Sequence, residues 1–191
     1  MSPPALQVRL GSWLFRHRGW LPVLPLLALV AGARPGAASL VLGFGLALPA
    51  EVLRLWAARA IGPASRTRGA QPGPLACAGP YRWSRNPIYL ANIALHASFA
   101  LASGWWPAFS LPLLSLPYHR AIVAWEEQRL GAAHGEAYGS YCALVPRWLS
   151  LRPRLPAGPL AVPLRAALRA ERASLVAIAA VFGALALRLL G

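Results

Sequence analysis

Apolar residues fall in long runs along the chain, not in strict alternation, and polar residues collect between the runs. That pattern predicts helices throughout and argues against half-buried strands. The longest run, Asn86–His119, holds 34 residues without Arg, Lys, Asp or Glu. As one helix it extends about 51 Å, well beyond a hydrocarbon core of about 30 Å. Ser103, Gly104, Trp105, Trp106 and Pro107 near its middle predict a tight turn, with tryptophans at headgroup level. The expectation is a helical hairpin with arms over Pro87–Ala102 and Trp105–Trp125, the return arm interrupted by Pro112 and Pro117.

Other runs extend this picture. Trp20–Ala33 is a short first span, and Arg34-Pro35-Gly36 separates it from a second over Ala37–Ala58. Residues Gly62–Pro80, rich in Gly, Pro, Ser and Arg, read as a surface loop. A more polar helix is expected over Glu126–Tyr141, and the prolines of Leu151–Pro163 exclude a continuous helix there. Leu164–Arg172 reads as a basic amphipathic surface helix, and Ala173–Leu187 as a last span.

Composition supports a membrane protein: 57% of the 191 residues are hydrophobic and 13% charged, where a soluble domain carries about a quarter charged. All 19 basic residues are arginine, and the acids are Glu51, Glu126, Glu127, Glu136 and Glu171. The formal charge of +14 does not read as nucleic-acid binding, because the arginines flank apolar runs where lipid headgroups lie. Arginines gather at the N-terminus, in Arg59–Arg85 and in Arg129–Arg172, leaving the intervening connections nearly bare. The positive-inside rule then predicts a cytoplasmic N-terminus and an external C-terminus across five spans. Cys77 and Cys142 form no CxxC pair and read as ordinary thiols; the histidines make no metal-ligand cluster.

Candidate chemistry lies beside the long run, in GPYRWSRNPIYL at Gly79–Leu90 and EEQRLGAAHGEAYGSY at Glu126–Tyr141. Asn86 and Pro87 suit a helix start, Asn86 capping free amides. Arg82, Arg85 and Tyr89 at the same helix end suit an anion or a carboxylate. Of Glu126 and Glu127, one is expected to face a pocket, pairing with an arginine or accepting hydroxyl hydrogen bonds. Tyr138 and Tyr141 share a helix face as packing residues or pocket walls. Arg147 is placed to hold a lipid phosphate or to brace the glutamates. His96 and His119 read as packing histidines at different membrane levels. Glu51 and Arg54, three apart, are expected to neutralise each other.

Together, Gly79-Pro80-Tyr81-Arg82, Arg85-Asn86-Pro87-Ile88-Tyr89-Leu90, Glu126-Glu127, Leu130, Gly135, Tyr138, Tyr141, Pro146 and Arg147 resemble the isoprenylcysteine carboxyl methyltransferase and phospholipid methyltransferase superfamily. The resemblance spans Gly79–Ser150. It implies an all-α, polytopic integral-membrane methyltransferase of about five transmembrane helices, with a helical hairpin and a cytoplasmic pocket for S-adenosylmethionine. It implies a cofactor site of Tyr81, Arg82, Arg85, Asn86, Pro87, Tyr89, Leu90, Glu126, Glu127, Tyr138 and Tyr141, and catalytic roles for Arg85, Glu127 and Arg147. The implied organisation is N-terminal helices and loop over 1–78, a methyltransferase core over 79–150, and an amphipathic segment with a last span over 151–191. Asn86 stands where many relatives carry histidine, His134 where many bacterial relatives carry an aromatic, and Ser150 where proline is common.

Methyl transfer from a sulfonium needs no metal; it needs an in-line nucleophile in a desolvated site. The expected partners are membrane lipids and a lipophilic acceptor, and the expected location is a bacterial inner membrane. The acceptor is open between an isoprenylcysteine-like carboxylate, a phospholipid amine and a hydrophobic thiol. A noncatalytic membrane-binding or transport protein accounts for the helices but not for the two-part motif.

Overall fold

A computed structural model describes residues 5–62 and 73–191, so the centre of the predicted Gly62–Pro80 loop lies outside the described residues. These residues form six α-helices: α1 (Ala5–His17), α2 (Val23–Gly32), α3 (Ala37–Ile61), α4 (Pro87–Ser103), α5 (Ser110–Leu144) and α6 (Leu164–Leu190). Two 3-10 turns, Gly79–Arg82 and Trp106–Phe109, precede α4 and α5 respectively.

Helix α3 shows why these elements pack as they do. Gly43, Ala47, Ala50, Arg54 and Ala57 recur every three or four residues and are buried. On the other side Val41, Leu42, Phe44, Leu48 and Val52 are exposed. Small residues thus face protein and large apolar ones face outward, the arrangement favoured where lipid replaces water. At Gly43 a side chain would come within 2.5 Å of the Ala102 Cβ, so only glycine lets α4 lie this close. Leu29, Phe99, Phe182 and Leu185 fill the core where α2, α4 and α6 meet α3. Phe182 stands edge-on to both Phe44 and Phe99, with ring centroids 5.4 and 5.6 Å apart.

The five-span expectation is corrected. Among the described residues, two helices are long and apolar enough to cross a membrane, α3 and α6. Helix α2 has 10 residues and rises about 15 Å, half a hydrocarbon core. The hairpin is corrected too, and with it a pocket formed by its two arms alone. Helix α4, at 17 residues, lies chiefly along α3. Helix α5 runs for 35 residues, far past the end of α4, and packs mainly on α1, where Phe15 meets Trp125. The small-residue seam of α3 lets α4 lie close along it, while Gly11 of α1 lies against Ala121 of α5. Most of the apolar window of each of these two helices is outward, with only 22% of it buried in α3 and 11% in α6, unlike the core helix of a soluble protein.

Three local expectations also change. Helix α5 continues through Pro112 and Pro117 and takes in the polar segment beyond. Pro112 sits in its first turn, where an amide donor is not needed. The break falls instead at Gly135, whose φ of 50° a residue with a Cβ adopts only with strain. The amphipathic segment and last span expected after Pro163 form one helix, α6.

Candidate functional site

Tyr89, Asn92, His96 and Phe99 line one face of α4, and His119, Ile122, Glu126 and Leu130 line the facing side of α5. Both series step by three or four residues, so each is one helical stripe. Between them, and bounded also by α1, α2, α3 and α6, lies a cavity of about 670 Å³. Its wall grades from charged residues near Arg85 and Glu127 to apolar ones at Leu95, Phe99 and Ile178.

The charged end is assembled by the segment before α4. The backbone amide of Arg85 donates to the Pro146 carbonyl at 3.0 Å, and Ser150 donates to the Trp83 carbonyl at 2.8 Å. Asn86, expected to cap α4 with its side chain, does not; its Nδ2 donates to the Arg147 carbonyl at 3.0 Å instead. The carboxamide thus ties the start of α4 to the segment after α5, while the backbone carbonyl of Asn86 accepts the Tyr89 and Leu90 amides. Tyr141 donates its hydroxyl to the Tyr81 carbonyl at 2.9 Å, closing the same junction from α5.

Glu127 sits between two arginines. Arg85 Nη2 lies 3.5 Å from Glu127 Oε1, and Arg147 grips the carboxylate with Nε at 3.2 Å from Oε1 and Nη2 at 2.5 Å from Oε2. The Glu127 side chain is 12% exposed and that of Arg147 45%, so Arg147 braces the carboxylate from outside. Arg85 also donates from Nη1 to the Cys142 sulfur. Burial opposes the Arg85 charge, but Glu127 and Cys142 outweigh it and hold its pKa above the ordinary value. Its Nε is buried and has no hydrogen-bond partner among the described residues.

Glu126 turns toward the cavity and accepts the Tyr89 hydroxyl at 2.8 Å on Oε2. Burial pushes its carboxyl above the usual range; the Tyr89 hydrogen bond and the charges of Arg18 and Arg129 pull the other way without cancelling it. Burial likewise raises the Tyr138 and Tyr141 phenols.

The cavity brings together Tyr81, Arg85, Asn86, Tyr89, Glu126, Glu127, Tyr138 and Tyr141. Arg82, Pro87, Leu90 and Arg147 stand outside its lining. Arg82 turns away to donate to the Leu155 carbonyl at 2.7 Å, and Pro87 is buried in the first turn of α4. Three cavity residues escaped the sequence reading. Asn92 carried no signal, while His96 and His119, expected at different levels, have ring centroids 6.0 Å apart. Tyr89 and His96 are seven residues apart, as are His119 and Glu126, and two helical turns put each pair on one face. Farther along the wall, Arg54 pairs with Glu51 at 2.8 Å as expected and also with Glu171 of α6 at 2.6 Å.

The phospholipid methyltransferase family model matches residues 38–137, more than half of the chain. The chain belongs to the phospholipid methyltransferase family. The match covers Arg85, Asn86, Tyr89, Glu126 and Glu127, begins upstream of the two-part motif and ends before Tyr138, Tyr141 and Arg147. Methyl transfer dependent on S-adenosylmethionine is the activity consistent with this family, and the family implies binding of that cofactor. No curated protein and no solved structure matches the chain.

The residues present fit that cofactor at the charged end. The open Arg85 Nε is a donor for its amino-acid carboxylate, and Glu126 offers an acceptor for its ammonium or ribose hydroxyls. Tyr81, Tyr138 and Tyr141 offer aromatic wall beside both.

Proposed function

We propose that this chain moves a methyl group from S-adenosylmethionine to the amine of a membrane lipid, with both reactants in the cavity that the six helices together bound. The observation that carries the reading is the convergence of Arg85, Tyr89, Glu126 and Glu127, all within the family match, on one wall of that cavity. Arg85 holds the carboxylate of the cofactor through Nε while Glu127 fixes the guanidinium, and Arg147 is a positioning residue that keeps Glu127 in place. Tyr89 orients Glu126 toward the ribose or ammonium, and Tyr81, Tyr138 and Tyr141 exclude water. When bound, the cofactor supplies an electrophilic methyl on a sulfonium; the amine lone pair forms the new N–C bond as the C–S bond breaks and sulfur keeps the electron pair. Leu95, Phe99 and Ile178 receive the apolar part of the acceptor. The arginine-rich flanks support a site facing the cytoplasm of a bacterial inner membrane.

The test is calorimetric titration with S-adenosylmethionine of the purified chain in lipid nanodiscs. Arg85→Ala and Glu127→Gln weaken cofactor binding about tenfold or more, because each leaves a partly buried partner charge uncompensated. The exposed Glu136→Gln is the control and leaves affinity unchanged. Unaltered affinity in both site variants rejects this assignment. Incubation with methyl-labelled cofactor and native membrane extract then identifies the product; a labelled ester or thioether in place of a labelled amine rejects the amine acceptor.

A further inference from the structure

The cofactor end of the cavity does not use the two histidines. Past the Tyr89–Glu126 pair the wall continues to Asn92, His96 and His119, with Tyr89 and His119 ring centroids 5.2 Å apart. The buried His119 places Nδ1 at 2.7 Å from the Ser115 carbonyl. A carbonyl only accepts, so the ring carries its proton on Nδ1, and Nε2 of the neutral imidazole is an acceptor. His96 Nδ1 is buried with no partner among the described residues. A buried polar atom left unsatisfied, as His96 Nδ1 is, is costly unless a ligand completes it.

Resting on the proposed methyl transfer, we propose that His119, His96 and Asn92 form the acceptor subsite, with His119 Nε2 receiving an N–H of the lipid amine and thereby selecting it. The hydrogen bond aims the nitrogen back toward Tyr89 and Glu126, where the charged end begins, and leaves the tail to follow the apolar wall. The helix supplies this polarity of the ring: the Ser115 carbonyl one turn back on α5 holds the tautomer, whatever sits in the cavity.

The test titrates the full chain in nanodiscs with two probes of equal tail: hexylamine, which has N–H groups, and hexyltrimethylammonium, which has none. His119→Leu and His96→Leu each weaken hexylamine about tenfold and leave hexyltrimethylammonium and S-adenosylmethionine within about twofold, as for loss of a single hydrogen bond. His119→Gln, whose side chain offers an acceptor near the place of Nε2, recovers most of the hexylamine affinity. Equal loss for both probes means that the histidines only pack, and overturns the subsite; so does hexylamine affinity unchanged in the variants or absent in the parent. Should His119→Leu fail to fold, His96→Leu and His119→Gln carry the same discrimination. Failure of the parent to bind S-adenosylmethionine instead overturns the methyltransferase reading, while the amine titration still reports on the histidines.

Discussion

Glu126 and Glu127 are neighbours in the chain in different settings: one accepts a phenol inside the cavity, the other is held between two arginines at its rim. Adjacent positions on a helix point about 100° apart, so a pair of acids at a cavity edge divides in this way. The folded Glu126 carboxyl lies above its ordinary value of 4.5, so ionising it costs native-state stability. That cost is absent below pH 4.5 and grows as pH rises through the raised value. Glu126→Gln therefore raises the thermal midpoint at neutral pH, and the gain closes as pH falls toward 4.5. Tyr89→Phe removes the hydrogen bond that lowers the carboxyl, so the loss still begins near pH 4.5 but continues to higher pH and becomes larger. Thermal scans of the three proteins across pH check both; a midpoint for Glu126→Gln below that of the parent at neutral pH contradicts the account. The paired acids and Arg85 were legible in the sequence because charge is rare in this chain. The histidine pair and Glu171 were not, since nothing local announces which face of one helix meets another.

Among the elements, α3 had the clearest signature, and its predicted bounds differ from the observed helix only at the C-terminal end. What the run of apolar residues left out was direction: hydropathy marks α3 as a span but does not say that its small residues, not its large ones, face protein. Gly43 is the sharpest case. Gly43→Leu drives a side chain into Ser98 and Ala102 of α4, and overpacking of that kind costs about 1–3 kcal/mol. The outward-facing Val41→Leu is the matched control, and unfolding midpoints in detergent should fall for the first substitution only. A similar logic explains the hairpin. A long uncharged run with a turn signal at its middle predicts two arms packed on each other; α4 instead packs chiefly on α3, and α5 mainly on α1. Proline positions misled in the same way, because Pro112 is harmless in a first turn and the actual break is set by Gly135.

For the whole molecule, the outward surfaces of α3 and α6 define the expected contact with lipid. Photolabelling with a diazirine-bearing lipid should modify Val41, Leu48 and Val52 of α3 and Val176 of α6, and spare Ala47 and Ala50 on the inner face. Labelling of the inner positions in folded protein would reverse the orientation of α3. By itself, the sequence determined an all-helical, apolar chain, the two-part motif and its family resemblance, because composition, helical period and rare charges are local quantities that need no partner to be read. Only the tertiary structure decided the number of helices that match a bilayer, the pairing of α4 with α3, the brace from Arg147 to Glu127 and the meeting of His96 with His119. Those depend on which surfaces approach most closely, and close approach is set jointly by side chains far apart in sequence, among them Gly43 with Ala102 and Arg54 with Glu171.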